Sequence, residues 1–254
     1  MVIRIDSSND GYIIRNGGTP DYRSSWTIAG WVYVHDDGTN FNIIDVGFTN
    51  NVPPGSQFFR AERNRFQDNL NITAGGSNDT SPNNSWEINE WHHFAGVYDD
   101  SASEFQGFID GVEVATVTGV DSSGWRATSL QTMAIGGGFV IEGGGATPTG
   151  DGSVAYFKAW QRALNARQIR DEMLRGAMFA TSNKVWELPL FGSYTDQWLE
   201  DVSGNGFDFS NISVTSDATG DTTVAPPSAY KPFRRRALVT SAAPPATARA
   251  FLIT

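Results

Sequence analysis

Apolar positions in this chain alternate in short runs and seldom recur at helical spacing. Trp91, His93, Ala95 and Val97 interleave with His92, Phe94, Gly96 and Tyr98, which is the period of a strand. The polar run Asp99 to Ser103 interrupts the pattern, and Phe105 to Ile109 resumes it. Asp110-Gly111 is then a hairpin signal, because glycine tolerates positive φ, and Val112 to Val117 alternates again. The same reading predicts strands at Gly11 to Ile14, Trp26 to Val34, Phe41 to Phe48, Gln57 to Arg60, Leu70 to Thr73, Gln131 to Ile135 and Ser153 to Trp160. In Trp26 to Val34 both phases are apolar, so this strand is expected to be central and covered on both faces. Turn chemistry separates the runs at Asp36-Asp37-Gly38, Pro53-Pro54-Gly55, Gly75-Gly76 and Gly143-Gly144-Gly145. Many short strands at this spacing predict an all-β sandwich or jelly roll.

One helix is specified after these strands. Asn165 can cap it, with Gln168 three residues later as the reciprocal partner. Leu164, Ile169, Met173 and Leu174 supply an apolar face, and Gly176 closes it. A lone short helix of this kind is expected to plug an end of the core. Aromatics return from Val185, in one or two further strands joined by the turn Ser203-Gly204-Asn205-Gly206. Past Asp221 two Pro-Pro pairs, alanines and arginines predict an extended tail. The expected organisation is one domain over 1–221, its last strands within 185–215, and a basic Pro/Ala-rich tail over 222–254.

Composition narrows the chemistry. The 254 residues include no Cys, which excludes disulfides, thiolate catalysis and Cys-ligated zinc. No segment approaches the roughly 20 apolar residues that span a membrane. The opening MVIRIDSSNDGYII has no apolar run of signal-peptide length, so the expected route out of a cell is not Sec export. Release within a virion by lysis would meet that requirement. The formal charge of −10 becomes −15 for the body once the five cations past Asp221 are set aside. Such a body is a poor nucleic-acid ligand. Lys231, Arg234, Arg235 and Arg236 form a candidate docking arm for an acidic surface, that of a neighbouring copy included.

Three ordered motifs carry a resemblance. WHHFAGVYD followed by FIDGVEVAT, SWTIAGWVYV at Ser25 to Val34, and GSVAYFKAWQRALNARQI at Gly152 to Ile169 resemble the laminin G-like group of the concanavalin A-like lectin/glucanase superfamily. The resemblance covers roughly Ile5 to Gly176. It implies a two-sheet antiparallel jelly roll. Where the family commonly has an acidic pair in its closing strand, this chain has Ala155 and Tyr156, so no carboxylate site carries over there. EDVSGNGFDF at Glu200 to Phe209 is similar to the segment that generally opens such domains, yet here it comes last. Either the closing strands replace the usual opening ones, or a truncated second copy begins; the few residues that follow favour the first.

Candidate chemistry is sparse. Laminarinase-like members of the superfamily carry E-x-D-x-x-E on one strand, and no Glu here is followed by that spacing. His92 and His93 are adjacent in a strand and face opposite ways, so they cannot chelate together; one is expected packed and one at the surface. Asp36, Asp99 and Asp151 are loop acids that could serve calcium, although solvated turn acids are the commoner role. Trp86 and Trp125 lie in polar surroundings and are candidate glycan platforms, or else loop anchors. The expected function is non-enzymatic: a bacteriophage virion surface component, on head or tail. Its expected partners are other capsid proteins, copies of itself in a homo-oligomer, and cell-surface glycans, without nucleic acid, membrane or an obligatory cofactor. The alternatives are an extracellular carbohydrate-binding lectin and a glycosidase.

Overall fold

The computed structural model describes residues 3–5, 12–16, 20–35, 38, 40–48, 59–122, 131–139, 146–148, 150–175, 183–190, 199–212 and 215–216. Its first strands are β1 (Ile3–Ile5), β2 (Tyr12–Asn16), β3 (Trp26–Val34), β4 (Phe41–Phe48), β5 (Phe59–Asn64), β6 (Asn69–Ala74) and β7 (Ser77–Thr80). Next come β8 (Trp91–Asp99), β9 (Glu104–Ile109), β10 (Val112–Thr118), β11 (Gln131–Ile135), β12 (Gly137–Phe139), β13 (Ala146–Pro148) and β14 (Gly152–Trp160). Helix α1 (Ala166–Arg175) precedes β15 (Lys184–Leu188), β16 (Ser210–Ile212) and β17 (Thr215–Ser216).

The strands form two antiparallel sheets, as the alternating runs predict. One is ordered β10-β9-β8-β3-β14-β1-β17, with β15 also on β14; the other is β16-β2-β11-β4-β5-β6-β7. β12 and β13 make a separate hairpin. The central place expected for β3 is found: it lies between β8 and β14, and only Tyr33 among its nine residues is less than buried. Between the sheets the core is aromatic. Trp26 meets Phe59 edge-on at 5.0 Å, and Phe59 meets Tyr98 at 4.9 Å and Phe105 at 5.0 Å. Burying each such ring contributes about 1.5–3 kcal/mol.

β14 has two partners in tandem along one edge. Gly152 to Val154 pair with β1, and Phe157 to Trp160 pair with β15. A bulge between Ala155 and Lys158 makes the change possible. Within it Tyr156 takes φ 55°, and its N–H donates to the Pro189 carbonyl at 3.0 Å. The bulge turns Phe157 across Gly30, where a Cβ would stand 2.3 Å from the ring. No side chain fits there.

α1 opens with the expected reciprocal cap: Asn165 N–H donates to Gln168 Oε1, and Gln168 N–H to Asn165 Oδ1, both at 3.0 Å. Its position differs from the end plug predicted. Ile169 and the preceding Leu164 pack with Ala29, Ala95, Val97, Phe108 and Trp160, on the outer face of the first sheet. That face is apolar because both phases of β3 and β8 are apolar, and only a helix laid across it removes it from water. Leu174 is 55% exposed, against expectation. At 100° per residue it lies about 140° from Ile169, off the contact stripe.

The segment resembling a domain opening adds strands to this same sandwich. β16 pairs with β2, and β17 with β1. Between β15 and β16, Asp201 organises the chain. Its Oδ1 accepts the N–H of Glu187 (2.9 Å) and of Ser203 (2.8 Å); its Oδ2 accepts Ser203 Oγ–H (2.8 Å) and Phe207 N–H (3.0 Å). Asn205 Nδ2 donates to the Val185 carbonyl at 2.7 Å. Burial would raise the Asp201 pKa, but these donors outweigh it and hold the carboxyl below its usual range. Arg15 of β2 closes the latch, donating to the Asp208 carbonyl with its guanidinium 4.8 Å from the Phe207 ring centre. Gly176, the tail over 222–254 and its boundary at 221 lie outside the described residues.

Candidate functional site

The adjacent histidines of β8 serve the two faces of one strand, and both are buried. A surface histidine was expected; instead His93 is 2% exposed beneath α1, and His92 is 9% exposed on the core side. His92 Nδ1 lies 2.8 Å from Asp110 Oδ2, and Nε2 lies 3.1 Å from the Glu87 carbonyl oxygen. Both partners only accept, so both ring nitrogens must donate, and the imidazolium is the form that fits. Burial lowers the His92 pKa, yet the Asp110 hydrogen bond and charge prevail and the net shift is upward. Asp110 also accepts His93 N–H at 2.8 Å, and these bonds depress its carboxyl despite burial. The hairpin aspartate, at φ 51°, thus doubles as the anchor of His92.

His93 is sealed. Its ring meets Trp31 edge-on at 5.3 Å, and Nδ1 has no partner among the described residues. Burial, aided by Lys158, drives its pKa down to about 3. Beside it Lys158, 1% exposed in β14, donates to Glu172 of α1 and stands 3.8 Å from Glu187 of β15. Burial raises the Glu172 pKa against the pull of Lys158. These groups join helix, sheet and β15 without access to a substrate.

An open cleft of about 250 Å³ lies at the loop end beside His92, lined by Asp68, Asn84, Trp86, Glu87 and Ile88. Two turns build it. Asp68 (φ 47°) sits in the turn from β5 to β6, and Asn84 (φ 57°) in the loop before β8; Asp and Asn tolerate this conformation. The turns are tied by Asn84 N–H to the Gln67 carbonyl at 2.8 Å and Trp86 N–H to the Asp68 carbonyl at 2.9 Å. Arg63, buried in β5, holds one oxygen of Asp68. Among the described residues, the Asn84 amide and Glu87 carboxylate have no hydrogen-bonding partner in the protein.

The residues singled out in the sequence do not meet at one place. Trp86 is fully buried, its ring 5.2 Å from that of His92, so it forms the back wall of the cleft and offers no exposed platform. Asp99 caps its own turn, accepting Ser101 N–H at 3.0 Å and Oγ–H at 2.7 Å. Asp151 pairs with Arg4 through contacts of 3.1 and 2.5 Å. Trp125, Asp36, Lys231, Arg234, Arg235 and Arg236 lie outside the described residues. Among the described residues no three acids or histidines are grouped to hold a metal ion, and no helix is long and apolar enough to cross a membrane. Asp68, Asn84 and Glu87 were not anticipated. Their only sequence signal is polar residues in two turns that become neighbours through strand pairing.

A family model described as the concanavalin A-like lectin/glucanases superfamily matches residues 6–170, well over half of the chain. The chain belongs to this superfamily. Solved structures repeat its fold at low identity. A Bacteroides ovatus protein proposed to bind carbohydrate superposes with TM-score 0.61 at 20% identity, over 84% of this concanavalin A-like chain and 58% of its own length. The heptameric SAP-like pentraxin of Limulus polyphemus superposes with TM-score 0.58 at 16% identity, over 84% of this chain and 94% of its own. No curated protein matches the chain.

Proposed function

We propose that this concanavalin A-like chain is a non-catalytic glycan-binding module displayed on a virion surface. The open cleft carries the binding half. It brings a carboxylate and an amide that have no partner among the described residues beside the half-buried Ile88, on turns braced by backbone hydrogen bonds. Sugar hydroxyls both donate and accept, so they match such a mixed set, and a preformed cleft limits the ordering cost of binding. The absence of E-x-D-x-x-E from the sequence supports the non-catalytic part, because retaining hydrolysis needs two facing carboxyl groups.

Charge distribution supports display on a particle. A body at −15 is followed by a tail with five cations and no acid, suited to an acidic partner or a second copy. The full-length chain, applied to an array of glycans, is expected to retain a defined subset; retention of none overturns the binding half. Truncation after Asp221 is expected to release the protein from purified particles while glycan retention persists. Unchanged particle association would overturn the docking half.

A further inference from the structure

Among the described residues one large aromatic ring is exposed, and it belongs to a residue two positions from the cleft. Phe66 is 77% exposed at the tip of the turn from β5 to β6, two residues before Asp68. Those backbones are at most about 7 Å apart. The tip is held in place: Phe66 N–H donates to Asn64 Oδ1 at 2.9 Å, and Arg65 N–H to Asn40 Oδ1 at 3.0 Å. The Arg65 side chain donates to the Gly38 carbonyl and sets its guanidinium 4.3 Å from the Phe66 ring centre. One face of the ring therefore lies under a cation, and its exposure leaves the other to solvent. Leaving a phenyl ring in water forgoes the stabilisation that burial would bring.

Resting on the glycan-binding reading above, we propose that Phe66 and the cleft form one subsite for a neutral pyranose. The open ring face takes the apolar C–H face of the sugar. The hydroxyls of that residue or the next donate to Asp68 and Glu87 and accept from the Asn84 amide. The charge balance selects the class of sugar. Of the two cations nearby, Arg63 is spent on Asp68 and Arg65 on the Gly38 carbonyl and the covered face of Phe66, which leaves Glu87 and neighbouring Glu90 as exposed carboxylates. A sialic or uronic acid would bring its own carboxylate against them, whereas a neutral hexose brings hydroxyl donors. The cation–π contact also restrains the ring, so it presents one fixed surface.

The test applies full-length protein to an array carrying neutral hexose and N-acetylhexosamine oligosaccharides beside sialylated ones, followed by titration calorimetry with the best neutral oligosaccharide. The expected result is retention of neutral glycans, with Kd weakened about tenfold by Phe66→Ala, in line with the worth of an aromatic stack. Phe66→Tyr should restore it, and Glu87→Lys should weaken neutral binding and admit sialylated glycans. Because Phe66 is exposed, Phe66→Ala should melt at the wild-type temperature. Neutral glycans bound equally by wild type and Phe66→Ala would overturn the subsite and leave the glycan-binding reading intact. Preferential retention of sialylated glycans by the wild type would overturn the assignment of class. Retention of no glycan would fall on the broader reading, and the subsite with it.

Discussion

Two polar loop regions of this sandwich use similar residues to opposite ends. In the turn from 199 to 209, one carboxylate accepts four hydrogen bonds, and Asn205 donates onto the backbone of β15. The side chains of Asp201, Ser203, Asn205 and Asp208 are all spent on the chain itself. At the cleft, the backbone satisfies its own N–H groups, while the Asn84 amide and Glu87 carboxylate stay open. Polar composition therefore does not separate a latch from a site. What separates them is whether the protein supplies the partner. His93 adds a third case, neither satisfied nor open, since its Nδ1 is buried without a partner among the described residues.

The largest effect should appear at that third case. The folded His93 pKa is about 3 against an ordinary 6.5, so as pH falls the unfolded chain takes up a proton first. Its contribution is complete above pH 6.5 and is lost as pH falls toward 3, by about 1.4 kcal/mol per unit. Urea midpoints measured across this window should fall for the wild type and flatten for His93→Gln; parallel curves would show that His93 is not sealed. Next in size, Asp201→Ala should cost on the order of 3 kcal/mol by stranding its donors, read as a lowered urea midpoint, while glycan retention persists below the melting temperature. An unchanged midpoint would remove the distinction between latch and cleft.

His92, behind the cleft, should act with the opposite sign to His93. Its pKa is raised, so the stability it contributes is fully present below pH 6.5 and is lost as pH rises through the folded value. The deficit of His92→Gln should accordingly be larger at pH 5.5 than at pH 8.5, on the order of 1 kcal/mol at the acid end, where the ion pair with Asp110 is complete. A deficit independent of pH would exclude the imidazolium. Smallest of all, Glu87→Gln and Asn84→Asp should change stability by less than about 0.5 kcal/mol, since neither side chain has a hydrogen-bonding partner among the described residues and Asp, like Asn, tolerates the left-handed backbone at position 84. A larger loss would mean that the cleft, like the latch, is structural.

Much of the architecture was legible along the chain. Strands as long as β3, β4 and β8 repeat their period often enough to be read, and Asn165 with Gln168 marks the start of α1 through purely local geometry. Strands β1, β7 and β17 were not legible, because two to four residues carry no measurable period. The place of α1 was misread for a related reason. Its apolar stripe was visible, but the surface it covers is assembled from β3, β8, β9 and β14, and no local pattern announces it.

The candidate site shows the same division more sharply. Trp86 stood out because tryptophan in a polar stretch is conspicuous, yet burial decides what a ring can do, and the fold turned this one inward. Asp68 and Asn84 looked like ordinary turn residues, and only the bonds from Asn84 N–H to Gln67 and Trp86 N–H to Asp68 make a cleft of them. The sequence by itself determined the strand periods, the helix cap, the absence of cysteine chemistry and the opposite facing of His92 and His93, because each depends on neighbours in the chain. Tertiary structure alone decided which of those faces was sealed, which carboxylates were spent and which stayed open, because burial and hydrogen-bond satisfaction are set by residues far apart in sequence.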